Sequence, residues 1–136
     1  MIDKEIINIA SNTENHGVLD NHTHFSKLKN SICGDEMKIY LVVQNNKITN
    51  FKYECESCIY CQASVSLLSR KAKSKSIEKV KNYTEQAKNC FDKSSKSFDK
   101  EWKEFDKIMN KNNISRKECL LLPLNTTLDA LNKKSL

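Results

Sequence analysis

Residues 36–43, EMKIYLVV, and residues 48–53, ITNFKY, are two runs rich in β-branched and aromatic residues, separated by QNNK. Such side chains suit a pleated, half-buried surface, and the Asn pair suits a tight turn between antiparallel strands. A hairpin here constrains the remaining chain more than any other feature. In a hairpin the start of one strand lies beside the end of its partner. Cys33 and Asp35, just before the first run, are therefore expected close to Cys55 and Cys58, just beyond the second.

Half of the chain's six cysteines fall in the stretch ECESCIYC, as Cys55, Cys58 and Cys61. Three readings compete: a complete local metal site, part of a site closed from elsewhere in the chain, or a redox centre. A Cys-x-x-Cys pair suits tetrahedral zinc or an iron–sulfur cluster. Three thiols fall short of four ligands, however, and no second Cys-x-x-Cys follows, so a self-contained zinc ribbon is not expected. CGD at 33–35 and KEC at 117–119 are the segments able to complete a site. The candidate ligands are Cys33, Asp35, Cys58 and Cys119, with Cys55 and Cys61 as auxiliary ones.

Helical patterns surround the hairpin. Apolar positions 6, 7, 9 and 10 predict a short helix over 3–10, and a second helix is expected from about Ile59 to Lys73. Cys58 then stands at a helix N-terminus, where unpaired N–H groups and the dipole favour a thiolate. Residues 77–109 carry apolar side chains at helical spacing and are expected as two helices broken near KSSKS. Cys90 falls on that apolar stripe and reads as a buried, inert thiol. Near the C-terminus, Ser115 with Glu118 resembles a capping box, which puts Cys119 in the first turn of a final helix. Pro123 is expected to kink or restart that helix. Residues 11–31 read as a polar loop; its His16, His22 and His24 could ligate a metal, but histidines in such loops are usually just solvated.

A chain of 136 residues predicts one domain, spanning 1–136. Apolar residues make up 38% and charged residues 29%. No apolar run approaches 18 residues, so no membrane span is expected. The opening MIDKEIINIASNTEN lacks a basic region before its apolar positions and does not read as a signal peptide. A cytoplasmic protein is expected, in which clustered thiols lean toward metal or catalysis rather than disulfides. The net charge of +6 is concentrated in residues 70–117. A basic face of this kind suits an acidic partner surface or nucleic acid, or is simply solvated. The aromatic residues there sit at core-like spacing, so no base-stacking platform is expected. A nucleic-acid module would rest on charge and Cys-x-x-Cys alone.

CGDEMKIYLVV followed by NKITNFKYECESCIYCQASVSLLS resembles the iron–sulfur cluster assembly scaffolds of the IscU, SufU and NifU N-terminal type. In that family a Cys-Gly-Asp opens a strand, a hairpin follows, a cysteine precedes an Ala-Ser-x-Ser helix, and Arg-x-x-Cys comes near the C-terminus. ASVS at 63–66 aligns Cys58 with the family's second cysteine, and RKEC at 116–119 aligns Cys119 with its third. NTENHGVL at 12–19 is similar to the family's N-terminal Asn-Pro-Arg-Asn-x-Gly motif, without its Pro-Arg. Ser57 stands where the family usually has Gly. Glu118 stands where IscU proteins have His and SufU proteins Lys. The 61 positions from Cys58 to Cys119 look closer to the SufU type.

The resemblance implies an α+β fold, with a small antiparallel sheet of about three strands packed against helices and the site at one end. It implies a scaffold or carrier rather than an enzyme. Sulfur would come from a cysteine desulfurase and iron from a donor. A [2Fe–2S] cluster would be held transiently by Cys33, Asp35, Cys58 and Cys119, then passed to apo-proteins. The alternative is a zinc-dependent sulfur-transfer protein of the SufU type on the same four residues. In either case the resemblance marks Cys119 as the sulfur acceptor. Glu118 beside it disfavours the thiolate, whereas a Lys would favour it.

Overall fold

The structure is a computed structural model that describes residues 4–31, 34–92 and 99–133. In chain order it contains α1 (Lys4–Ala10), β1 (His24–Lys29), β2 (Glu36–Gln44), β3 (Lys47–Glu56), α2 (Ile59–Ala72), α3 (Ile77–Asp92), two 3₁₀ segments (Lys100–Lys107 and Lys111–Arg116) and α4 (Lys117–Asn132). The sheet is antiparallel with order β1-β2-β3. An α+β architecture with three strands and covering helices is thus what the chain adopts.

The hairpin forms as its pattern predicts. Asn45 and Asn46 turn the chain at φ +53° and +63°, the left-handed pair that matches strand twist. The ladder runs back to Glu36 opposite Glu56, which sets Asp35 beside the link from β3 to α2. Met37, Ile39 and Leu41 of β2 face the core with Phe51 and Tyr53 of β3. Tyr40 and Val42 point the other way and join Leu19 and Phe25 in a second, smaller cluster.

Helix α2 lies at the centre, against α1, α4 and β3. Its ASVS segment is buried throughout. Small residues let neighbours approach, and the serine hydroxyls find carbonyls: Ser64 Oγ donates to Leu120 O at 2.7 Å and Ser66 Oγ to Asn12 O at 2.6 Å. The NTENHGVL stretch docks on the same helix and on β3. Asn15 is buried; its Nδ2 donates to Ser69 Oγ, and its Oδ1 accepts from Lys73 Nζ at 2.6 Å. The Gly17 N–H donates to Tyr53 O at 2.8 Å with φ at +142°, a conformation that L side chains rarely adopt.

Four expectations need correction. Part of the expected 11–31 loop is strand β1. Its inward position 26 holds a serine, buried and bonded to Asp129, so the alternation that marks a strand is broken. The second half of the 77–109 pattern is 3₁₀ rather than α. Trp102, Phe105 and Ile108 are all buried, and a three-residue repeat keeps them on one face. Ser115 and Glu118 form no capping box. A 3₁₀ segment runs straight into α4, whose N-cap is Arg116, with no side-chain cap bond. Pro123 neither restarts nor ends α4, which continues from Lys117 to Asn132. The proline is buried, and the nearby Leu120 carbonyl accepts from Ser64, so packing outweighs the ~3 kcal/mol that proline costs inside a helix. The expected break near KSSKS lies outside the described residues.

Cys90 is half-buried against the core. Burial, and then the Asp106 carboxylate, push its thiol up, in keeping with an inert role. Tyr83 stacks on Trp102 with centroids 4.5 Å apart and planes at 16°, and Phe105 lies 4.5 Å from Tyr83. This aromatic trio ties α3 to the 3₁₀ segment. Trp102→Ala is expected to cost about 3–5 kcal/mol of stability, as for other large core truncations, read from the urea midpoint; a loss under 1 kcal/mol would mean that the trio contributes little.

Candidate metal centre

Three elements converge on the site. Gly34, at φ +77°, turns the chain into β2; its N–H donates to Asn30 O, and the Asn30 N–H donates to Asp35 O, each at 2.7 Å. This closed turn holds Asp35 at the foot of β2. Across the hairpin, β3 ends at Glu56, and Cys58 is the N-cap of α2, with extended φ/ψ of −71° and 166°. Its side chain makes no capping bond. Cys119 arrives from the far end of the sequence, in the first turn of α4.

The carboxylate oxygens of Asp35 have different surroundings. Oδ1 accepts the Cys58 N–H at 3.3 Å, whereas Oδ2 is buried and has no hydrogen-bond partner. Asp35 as a whole is 7% exposed. A buried polar atom left unpaired costs about 1–3 kcal/mol, more when charged, so a cation would satisfy this oxygen. One ligand atom each from Asp35, Cys58 and Cys119 lies within 4.8 Å of the others. Four-coordinate zinc with Zn–S bonds near 2.3 Å needs sulfurs about 3.8 Å apart, so a shift of no more than about 1 Å closes the set. Two soft thiols with one hard carboxylate suit zinc or iron. The donor set therefore fits a metal of this class.

Two contacts brace the helices that carry the thiols. The Arg116 guanidinium lies 5.2 Å from the centroid of the Tyr60 ring, a cation–π distance. Tyr60 is two residues after Cys58, and Arg116 three before Cys119. The second brace is the Ser64–Leu120 bond, at 2.7 Å. No sequence signal marks the Tyr60–Arg116 pair, because its members are distant in the chain. Cys119, which the resemblance marks as sulfur acceptor, is only 5% exposed in this arrangement.

The other expected residues divide clearly. Cys33 lies outside the described residues. Cys55 and Cys61 stand near the set but are not part of it. Cys55 is in β3 itself rather than beyond it, opposite Met37, and its thiol is half-buried. Burial pushes that thiol up, and the Asp35 and Cys58 charges add to the rise. Cys61 is fully buried, and burial drives its thiol far up. The histidines belong to other surroundings: His16 meets Tyr53 edge-on, and His22 packs with Phe25 and Tyr40. His24 bonds Thr23, and burial lowers its basicity. Part of the basic segment's charge is taken up internally. Lys71 meets Glu104 at 2.6 Å, Lys75 and Lys79 approach Glu101, and the Lys71 hydrogen bond holds the Glu104 carboxyl below the usual range. No helix among the described residues is long and apolar enough to cross a membrane.

Comparison with known proteins gives this arrangement a context. Residues 1–97 match the model of the NifU-like N terminal domain. The iron–sulfur cluster assembly scaffold protein IscU of Thermotoga maritima is 29% identical over 135 residues, covering 99% of this chain and 95% of that protein. Among solved structures, a putative iron–sulfur cluster assembly scaffold protein for the SUF system from Fervidobacterium islandicum superposes with a TM-score of 0.87 at 26% identity, covering 96% of each chain. A NifU-like protein (N-terminal) from Brucella abortus shares the fold with a TM-score of 0.88 at 18% identity, covering 95% of this chain and 90% of that one. The chain belongs to the NifU-like N-terminal domain family, that of the iron–sulfur cluster assembly scaffolds of the IscU and SufU type.

Proposed function

We propose that this protein receives sulfur from a cysteine desulfurase and iron from a donor, holds a [2Fe–2S] cluster transiently, and passes it to apo-proteins. The cluster is cargo, and Cys33, Asp35, Cys58 and Cys119 are its ligands. The observation that carries this reading is the unpaired, buried Asp35 Oδ2 beside the Cys58 and Cys119 thiols. Thiolates bind iron firmly, whereas a carboxylate is a harder, weaker ligand. A site with one carboxylate among three thiolates releases cargo more readily than four thiolates would. The Cys58 N–H holds Asp35 Oδ1 in place, leaving Oδ2 for the metal.

A second reading is zinc-dependent sulfur transfer on the same residues, with Cys119 accepting sulfur. The long spacing from Cys58 to Cys119 favours it. Zinc, when bound, would hold the thiolates ready as ligands. In both readings Cys119 must become accessible. The 3₁₀ segment Lys111–Arg116 runs directly into the helix turn that carries Cys119, and its movement would expose that turn.

Metal, iron and acid-labile sulfide content of anaerobically purified protein decides between the readings. Iron and sulfide near 1:1 supports the cluster scaffold, and zinc alone near one per chain supports sulfur transfer. Asp35→Ala, Cys33→Ala, Cys58→Ala and Cys119→Ala are each expected to weaken metal retention by about 10–100-fold or more. Retention unchanged in Cys58→Ala or Cys119→Ala would rule out the ligand assignment. Tyr60→Ala should also speed alkylation of Cys119 in the metal-free protein by about two- to five-fold, the factor corresponding to a 0.5–1 kcal/mol contact. An unchanged rate would show that the pair does not cover this thiol.

A further inference from the structure

Pro123 lies inside α4, one turn after Cys119. In an α-helix the carbonyls of residues 117, 118 and 119 accept from the N–H groups of 121, 122 and 123. Position 123 is a proline and has no N–H, so the rung that would tie Cys119 to the next turn is missing. The same turn is loosely held at its other end. Arg116, its N-cap, makes no side-chain cap bond. The 3₁₀ segment before it is interrupted at Asn113, with φ −106° and ψ 20°. Burial changes abruptly at the same place. Residues 114–118 are exposed or half-buried, whereas 119–124 are all buried. Leu120 is fully buried, and its carbonyl accepts from Ser64. From Leu120 onward α4 is thus anchored, and in the turn before it only Cys119 is buried.

We infer that Pro123 makes the turn Lys117–Cys119 a hinged flap. The flap carries the Cys119 thiol between a covered position beside Asp35 and Cys58 and an open position that another molecule can reach. This rests on the reading of Cys119 as both ligand and sulfur acceptor, two roles that need opposite degrees of exposure. A segment with few buried side chains opens locally at little cost, and a missing rung lowers that cost further. Opening at this hinge frees one thiol and leaves the buried body of α4, from Leu120 onward, in place. Arg116 on Tyr60 opposes it. A metal held by Cys58 and Cys119 together would keep the flap closed.

The test restores the missing donor in the full chain. Pro123→Ala supplies an N–H at position 123, and Pro123→Val does so while filling more of the space that the ring occupies. In the metal-free, reduced proteins, alkylation of Cys119 is timed by mass spectrometry, with Cys90 in the same samples as reference. Amide hydrogen exchange is measured at Leu121 and Leu122, whose N–H groups close the turn, and at Thr126 and Thr127 further along α4. Both variants are expected to slow Cys119 alkylation, and exchange at Leu121 and Leu122, by about three- to tenfold, as for one backbone hydrogen bond gained. Cys90 alkylation, and exchange at Thr126 and Thr127, should keep their wild-type rates. A proline that only packs would move the melting temperature without slowing Cys119. Unchanged Cys119 alkylation in both variants would overturn the inference, as would slowing that extends equally to Thr126 and Thr127. If Pro123→Ala does not fold, Pro123→Val decides. Failure of the ligand reading appears separately, as zinc that leaves Cys119 of the wild-type protein unprotected from alkylation.

Discussion

The hydrogen bond from the Cys58 N–H to Asp35 Oδ1 is the contact on which the centre depends. It joins the foot of β2 to the N-terminus of α2, the two places where the hairpin ladder and the central helix meet. It also fixes one carboxylate oxygen and leaves the other buried without a partner. A buried oxygen without a partner is costly, and a bound cation would satisfy it. Functional sites commonly break the rule of polar satisfaction that the rest of a protein obeys.

The remaining architecture keeps that contact in register. Helix α2 can sit at the centre because its exposed-looking serines are small and their hydroxyls have carbonyl partners in α4 and in the 12–19 stretch. Asn15 binds the far end of the same helix through Ser69 and Lys73, and its carbonyl accepts from the Tyr53 N–H of β3. Strand and helix therefore cannot slide relative to each other without breaking buried hydrogen bonds. On the other side, Tyr60 and Arg116 hold α4 against the start of α2. The buried Ser64–Leu120 bond joins the same two helices one residue beyond Cys119, so the centre is held from both sides.

The three clustered thiols differ because three kinds of local structure meet within seven residues. Cys55 is still strand and half-buried against the core; Cys58 is a helix cap; Cys61 is inside a buried helix turn. Identical side chains at equal spacing are thereby given different accessibility and different neighbours. The one at the cap joins Asp35 and Cys119. The two flanking it lie outside its ligand set.

Much of this was legible in the chain alone. The β2–β3 hairpin, its Asn-Asn turn, the helix after Cys58 and the proximity of Asp35 to Cys58 all follow from local patterns and from antiparallel pairing, which are properties of neighbouring residues. Strand β1 was not legible, because a serine occupies its buried position and its partner, Asp129, lies a hundred residues away. The winding into α4 was misread for a similar reason: Ser115 and Glu118 fit a cap by spacing, but the preceding segment already turns as 3₁₀ helix. Pro123 is tolerated because burial against the rest of the fold outweighs a local penalty. Residue types, spacing and hairpin pairing were enough to nominate Asp35, Cys58 and Cys119. Only tertiary packing decided that Cys119 reaches them, that its thiol is covered, and that Cys55 and Cys61 stand aside, since distance and burial depend on contacts between segments remote in sequence.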